Sequence, residues 1–288
     1  MQSQNTILVT GATGRQGGAV TRHLLLSGFK VRALTRNPNS PKANALKKLG
    51  AITIKGNLSE PDSIRPAFED LYGVFSVQNP WITGLKKEVE HGKRVAKMAA
   101  EAGVQFLVYA SAGTGESDTG VPHFNSKLEV EEFIRTLGIH YTILRPNAFM
   151  ELMFDRDFVP SLVAWSVKEK IIGPDLPVLW ISTDDVGAIA ANIFANPTSY
   201  LGKELKLASD KKSMNECRET YKSVFGKKPF RIPAPVWLFK LMQNDLYQMF
   251  HWMKTWKETE DIIRQTKEIR PEVKNLREWM ESKRNEKN

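Results

Sequence analysis

The sequence predicts an α/β fold: a Rossmann-type, doubly wound parallel sheet with a smaller, mainly helical C-terminal lobe. Three observations carry this reading. Short apolar runs alternate with helical stretches through the first half of the 288 residues, at the spacing of repeated βα units. The first apolar run ends in a glycine-rich turn, TGATGRQGG, that opens a helix. Later, Pro197, Pro229, Pro233 and Pro235 break the chain into short elements, and from Ser213 onward the pattern is mainly helical.

Taken in order, Ile7-Leu8-Val9 is a buried first strand and residues 19–26 belong to the first helix. Residues 30–35 (KVRALT) alternate and form strand two, 40–49 a helix, and 51–54 a short third strand. A helix over 60–70 takes Ser59 as its N-cap and has Pro61 near its first turn. Residues 73–77 form strand four, 88–103 an amphipathic helix ending at glycine, and 106–110 strand five, followed by the Gly- and Ser-rich loop 111–120. The S-x-x-E pattern of Ser126 and Glu129 starts a helix over 126–137, and 140–144 form strand six. Residues 152–170 read as a helix, 173–177 as a turn, 178–181 as a strand and 203–208 as a last strand. Asp184 caps the helix that follows it, Asp155 and Asp157 lie on a surface, and the polar tail 282–288 frays. Residues 1–151 and 178–208 are then a nucleotide-binding domain, and 152–177 and 209–288 the smaller lobe.

Strand, glycine turn and helix together make a site for a dinucleotide diphosphate. Gly11 allows the sharp turn, Gly14 a close approach to phosphate and Gly17 tight packing of helix on strand, while the helix N-terminus faces the anion. The end of strand two selects the cofactor. An acid there accepts bonds from the ribose 2′-hydroxyl of NAD; this chain has Thr35-Arg36-Asn37 and no nearby carboxylate. Arg36 suits a 2′-phosphate, and Arg15 adds a second positive charge, so NADP(H) is favoured over a reading of both as solvated loop charges.

Composition bounds the function. Apolar content of 41% and charged content of 25% are those of an ordinary globular protein. Cys217 is the sole cysteine, which excludes an intrachain disulfide and thiolate metal clusters and fits a reducing, cytoplasmic setting. The five histidines are scattered and indicate no metal site. No signal peptide and no run of membrane-spanning length is visible. The net charge of +9 is spread along the chain without a recognition motif, which argues against nucleic acid and for a field that attracts an anionic cofactor.

GATGRQGG, ALTRN, FSVQNPW, HFNSKLEVEEFI and TILRPNAFME, in that order, make the chain resemble the NmrA-like family, atypical members of the extended short-chain dehydrogenase/reductase superfamily. The likeness runs from Asn5 to about Pro197 and includes ISTDDVGAIAANIF. It implies a Rossmann domain binding NADP(H) and a C-terminal lobe forming a cleft over the nicotinamide. By that resemblance Gly11, Thr13, Gly14, Gln16 and Gly17 match the diphosphate turn, and Arg36 the adenosine-phosphate contact. Asn57-Leu58 stands in place of an Asp-Leu pair at adenine. Gln78 and Asn79 end strand four over the cofactor, Lys127 holds the nicotinamide ribose, and Pro146-Asn147-Ala148-Phe149 flanks the nicotinamide.

The tyrosine of the superfamily's Y-x-x-x-K motif is absent. His123 stands four residues before Lys127, either as an acid or as a loop histidine preceding the helix. Ser111 ends strand five, as an active-site serine or as a turn residue. Lys127 is either a cofactor ligand or a solvated first-turn lysine, and the helix dipole disfavours the latter. The aromatic- and Met-rich run 230–256 is a substrate pocket, a partner surface or simply a pair of packed helices; a lipid-facing role is a further reading, for which the run lacks a clear lysine-flanked amphipathic design. Two functions follow: an NADPH-dependent reductase of a small carbonyl or quinone-like acceptor, with Lys127, Ser111 and His123 as candidate catalytic residues, or a non-catalytic redox sensor whose NADP(H) occupancy acts through a regulatory protein partner.

Overall fold

The computed structural model describes residues 5–113, 115–116, 119–154, 163–231, 235–256 and 261–286. The chain forms two compact units: Met1–Ser117, His123–Arg145 and Val186–Leu205 make the first, and Asp118–Pro122, Pro146–Asp185 and Lys206–Asn288 the second.

In chain order the first elements are β1 (Thr6–Val9), α1 (Arg15–Leu26), β2 (Lys30–Thr35), α2 (Pro41–Lys48), β3 (Ile52–Lys55) and α3 (Pro61–Ile64). Then come β4 (Gly73–Ser76), α4 (Pro80–Thr83), α5 (Leu85–Glu101), β5 (Phe106–Ala110), α6 (Pro122–Arg135) and β6 (Tyr141–Pro146). They continue through β7 (Ala148–Phe149), α7 (Glu169–Ile172), β8 (Val178–Ile181), α8 (Thr183–Ala195), β9 (Lys203–Leu207) and β10 (Asp210–Lys212). The last are α9 (Met214–Phe225), α10 (Val236–Met242), α11 (Asn244–Trp252), α12 (Asp261–Ile269) and α13 (Leu276–Asn285).

Seven strands form one sheet in the order β3-β2-β1-β4-β5-β6-β9. The pairs from β3 through β6 are parallel, with Leu8 beside Arg32 on one side and Val74 on the other. Ile7, Leu8 and Val9 are fully buried, as a central strand covered on both faces requires. The order reverses between β1 and β4, so the carboxyl ends of these strands make the crevice where such sheets take ligands. Leu8, Val74, Val95, Ala99, Leu107, Tyr109, Val130 and Ile143 are part of the core of this unit. The second unit holds the small sheet β10-β8-β7 and a core that includes Trp165, Trp180, Met214, Phe250 and Trp279.

Several helix starts differ from the sequence expectation, each for a local reason. Helix α6 begins at Pro122, whose fixed φ suits a first turn, so Ser126 lies inside it. The Ser126 hydroxyl donates to Glu88 instead, and Glu129 pairs with Lys93. His123 and Lys127 therefore share one helix, four residues apart. The 60–70 helix stops at Ile64 and tightens into a 3₁₀ turn over Arg65–Phe68, because Pro66 lacks an N–H. Ser59 is not its cap; its hydroxyl lies 3.0 Å from His91 Nε2. Ser182, not Asp184, caps α8: its hydroxyl accepts from Asp185 N at 3.0 Å and donates to the Asp185 carboxylate at 2.7 Å. Of the single helix expected over 152–170, the described residues show a 3₁₀ turn, Met150–Met153, a π-helical turn, Ala164–Lys168, and the short α7; residues 155–162 lie outside the described residues. Asp155, Asp157 and Pro233 lie outside the described residues. The run 230–256 contains the two helices α10 and α11. No described helix is long and apolar enough to cross a membrane.

The π-helical turn delivers Lys168 into the second core, where Nζ lies 4.1 Å from the Trp180 ring centroid and 5.8 Å from that of Phe250. Burial pushes this ammonium down to about 8 from 10.5, with Cys217 opposing weakly. The folded state thus resists the proton that the unfolded chain keeps. The cost is fully present below about pH 8 and is relieved as pH climbs toward 10.5. Lys168→Met should therefore stabilise the protein by about 1–3 kcal/mol at neutral pH, a gain that narrows as pH rises through that window. Urea unfolding of both proteins across pH checks this; a destabilised variant, or a difference indifferent to pH, contradicts it.

Candidate functional site

The β1–α1 turn is built for close approach. Gly11 has φ +59°, and a β-carbon on it would stand 2.8 Å from the Val77 side chain. A β-carbon on Gly17 would meet the Gly11 carbonyl oxygen at 2.4 Å, so only glycine lets α1 start so near β1. Gly14 is the N-cap and donates its N–H to the Gly11 carbonyl at 2.8 Å. No side chain caps α1 and its first turn carries no acid, which leaves the positive helix end open to an anion. Thr13, Arg15 and Gln16 are half-buried around this turn. Thr10, which sequence reasoning missed, fastens the turn to β4. Its hydroxyl donates to Val77 O at 3.1 Å and accepts from Val77 N at 2.8 Å.

Arg36 directly follows β2, is exposed, and has no ion-pair partner among the described residues. Asn57 is already committed. Its amide donates to Glu60 at 2.7 Å and accepts from Ser59 N at 3.1 Å, while Leu58 packs against the first core. Asn79 caps α4 by accepting from Trp81 N at 2.9 Å. Gln78 is buried at the end of β4 and donates to Ser76 Oγ at 2.9 Å. Two buried amide oxygens, Gln16 Oε1 and Gln78 Oε1, find no donor among the described residues. An unsatisfied buried acceptor costs about 1–3 kcal/mol, so both are acceptors suited to a donor supplied from outside.

Lys127 is not a solvated first-turn lysine: it lies deeper in α6 and its side chain is only 7% exposed. Nζ stands 2.8 Å from Glu88 Oε1 on α5 and donates to Gln78 O at 3.0 Å and to Ala110 O at 3.4 Å. The ammonium thereby joins the carboxyl ends of β4 and β5. The other Glu88 oxygen accepts from Ser126 Oγ at 2.6 Å. A buried ammonium needs such a countercharge, and Glu88 is fully buried with it.

Ser111 donates to Glu131 Oε1 at 2.5 Å. Glu131 also takes a forked pair from Arg145 at 3.0 and 2.5 Å, and Arg145 reaches Glu204 at 2.5 Å. His123 is buried, with its ring 5.3 Å from Trp81 and 4.6 Å from Phe124. Tyr109, on β5, is buried with its ring centroid 5.5 Å from Lys127 Nζ and its hydroxyl without a hydrogen-bond partner among the described residues. Burial, then the carboxylates of Glu88 and Glu131, holds that phenol protonated well above the ordinary tyrosine range. Pro146, Asn147 and Phe149 belong to the second unit. There Asn147 is occupied, its backbone and side-chain N–H groups donating to Leu207 O at 3.0 and 3.3 Å.

Glu88 carried no sequence signal, because Lys127 sits 39 positions away, and Glu131 offered only its i,i+4 pairing with Arg135, its Ser111 and Arg145 partners being 20 and 14 positions away. The Lys127–Glu88 pair yields a direct test. Glu88→Leu and Lys127→Met should each destabilise the protein by about 3–5 kcal/mol, because each strands a buried charge, and the double variant should lose clearly less than their sum. Urea denaturation of all four proteins measures the coupling; additive losses contradict the pair.

The model of the NmrA-like family matches residues 3–281. The NmrA-like family domain-containing oxidoreductase malD of Malbranchea aurantiaca is 31% identical over 256 residues, covering 81% of this chain and 76% of that protein. Among solved structures, NmrA, a negative transcriptional regulator in complex with NADP, matches with a TM-score of 0.78 at 19% identity, over 97% of this chain and 95% of its own. The NADPH-dependent quinone oxidoreductase of Escherichia coli complexed with NADPH matches with a TM-score of 0.75 at 18% identity, over 97% and 100%. At such identities the structural likeness establishes the fold, and the extent of the sequence match establishes the kinship: this chain belongs to the NmrA-like family.

Proposed function

We propose that the chain binds NADP(H) at the β1–α1 turn and acts as a reductase of a small, electron-poor carbonyl or quinone-like acceptor. One observation carries the binding. The turn admits no side chain at Gly17, and α1 has an uncapped, acid-free N-terminus at the point where the strand order reverses. Gly11, Thr13, Gly14, Gln16 and Gly17 hold the diphosphate. Arg36, exposed and without an ion-pair partner among the described residues at the end of β2, holds the 2′-phosphate through a charge-assisted fork, and Arg15 adds positive field. Gln78 Oε1 offers a buried acceptor to a hydroxyl or amide of the cofactor. Asn57 and Leu58 border the adenine end, and Asn79, Pro146, Asn147 and Phe149 the nicotinamide end, as the family resemblance implies.

When bound, NADPH supplies the hydride. Lys127 keeps a fixed positive charge at the ends of β4 and β5, which favours negative charge developing on an acceptor oxygen. Its contact with Ala110 O is the longest of its three and the most readily exchanged for a ribose hydroxyl. The Ser111 hydroxyl is committed to Glu131, and Tyr109 is fully enclosed in the core. His123, buried against Trp81, remains the side chain with suitable chemistry, and water the alternative. Acceptors that need no strong local acid, such as quinones, fit this arrangement better than simple ketones. The same lack of a ready acid favours a second reading, a sensor that binds NADP(H) and signals to a protein partner without turnover.

Fluorescence titration and the loss of NADPH absorbance against a panel of quinones and aldehydes separate these readings. Arg36→Ala should weaken NADPH about tenfold or more and leave NADH nearly unchanged. Lys127→Met should depress turnover more than binding. Equal losses for both cofactors contradict the Arg36 assignment. Tight binding with no turnover of any acceptor replaces the reductase with the sensor.

A further inference from the structure

The second unit carries an apolar face that its own core leaves uncovered. Eleven large hydrophobic side chains are exposed among the described residues, and five of them, Phe230, Trp237, Leu238, Leu241 and Met242, fall within residues 230–242. Four lie on α10, where Phe239 alone is buried. At 100° per residue, Trp237, Leu238, Leu241 and Met242 span an arc of about 140°. Leu241 is 77% exposed, and Trp237 and Met242 69% each. The helix thus uses one phenylalanine as its anchor and turns a wide apolar stripe outward. Scattered exposed hydrophobics are ordinary; a continuous stripe on one short helix marks a contact surface.

The charge around the stripe selects its occupant. From 220 to 244 the chain has no Asp or Glu and five basic residues, Lys222, Lys227, Lys228, Arg231 and Lys240. Arg231 is held by Glu169 at 2.7 Å, and Lys240 lies 5.2 Å from the Tyr247 ring centroid. Lys227 and Lys228 are exposed and have no ion-pair partner among the described residues. A second copy brought face to face through this surface would set Lys227 and Lys228 of one copy against those of the other, and the stretch 220–244 carries no acid of its own, so charge disfavours an isologous dimer. A bilayer of anionic phospholipid satisfies both features. Tryptophan and aliphatic side chains sink to the headgroup boundary, while flanking lysines extend to the phosphates. We propose that this face of the second unit, centred on α10 and aided by the exposed Lys227 and Lys228 that precede it in the chain, docks on an anionic phospholipid surface with the helix lying in the plane of the headgroups. The docking is independent of whether the first unit turns over its cofactor.

Co-sedimentation of the full-length protein with phosphatidylcholine vesicles, with and without phosphatidylglycerol, tests this. The protein should pellet with the anionic vesicles, pellet less with the neutral ones, and be released as salt rises. Leu241→Gln with Met242→Gln, and separately Lys227→Glu with Lys228→Glu, should each weaken anionic-vesicle binding about tenfold or more while leaving the circular dichroism spectrum unchanged. Absence of vesicle binding overturns the proposal. So does binding at the wild-type level by either double variant, or a wild-type dimer that the Leu241/Met242 change converts to monomer.

Discussion

A buried ammonium cannot stand without a countercharge, and the Lys127–Glu88 pair is the constraint on which the candidate site depends. Both groups are removed from water, 2.8 Å apart, and the lysine spends its remaining donors on the Gln78 and Ala110 carbonyls. Four elements are thereby tied at one point: α6 through the lysine, α5 through the glutamate, and the carboxyl ends of β4 and β5 through the carbonyls. Desolvating two charges is costly, and replacing such a pair by apolar side chains is often neutral or favourable for stability. Its presence at the ligand-binding end of a parallel sheet is therefore better explained by what a fixed positive charge does there than by the stability it contributes.

The same end of the sheet bears on the proposed reductase chemistry, because the sequence has His123 where a Y-x-x-x-K motif would place a tyrosine. The hydroxyls nearest the lysine are occupied or inert: Ser126 is bonded to Glu88, Ser111 to Glu131, and Tyr109 is held protonated by burial and two carboxylates. Glu131 in turn belongs to a network with Arg145, Arg135 and Glu204 that locks its geometry. The proposed preference for quinone-like acceptors rests on this rigid arrangement, in which an ammonium matched by Glu88 is present and a ready proton donor is not.

Much of the fold was legible because it rests on local pattern. The alternation of apolar runs and helices marked each strand of the parallel sheet, and the glycine spacing marked the β1–α1 turn, whose requirement at Gly17 is a backbone contact within six residues. What escaped depended on distant partners. Ser126 and Glu129 spell a capping box, yet Pro122 starts the helix earlier and both side chains find mates on α5. Ser59 and Asp184 satisfied capping statistics, but His91 engages one and Ser182 outcompetes the other. Thr10, Glu88 and Glu131 carry no motif, because a polar residue's role in a buried network is fixed by which chain segments the sheet brings beside it.

One cofactor spanning the glycine turn and Arg36 would be seen in phosphorus NMR of NADPH titrated with the protein. The account predicts that the diphosphate and 2′-phosphate resonances both move on binding, the first at the α1 N-terminus and the second against the Arg36 guanidinium. Diphosphate resonances that shift while the 2′-phosphate signal stays at its free position, or no shift at all, would contradict it.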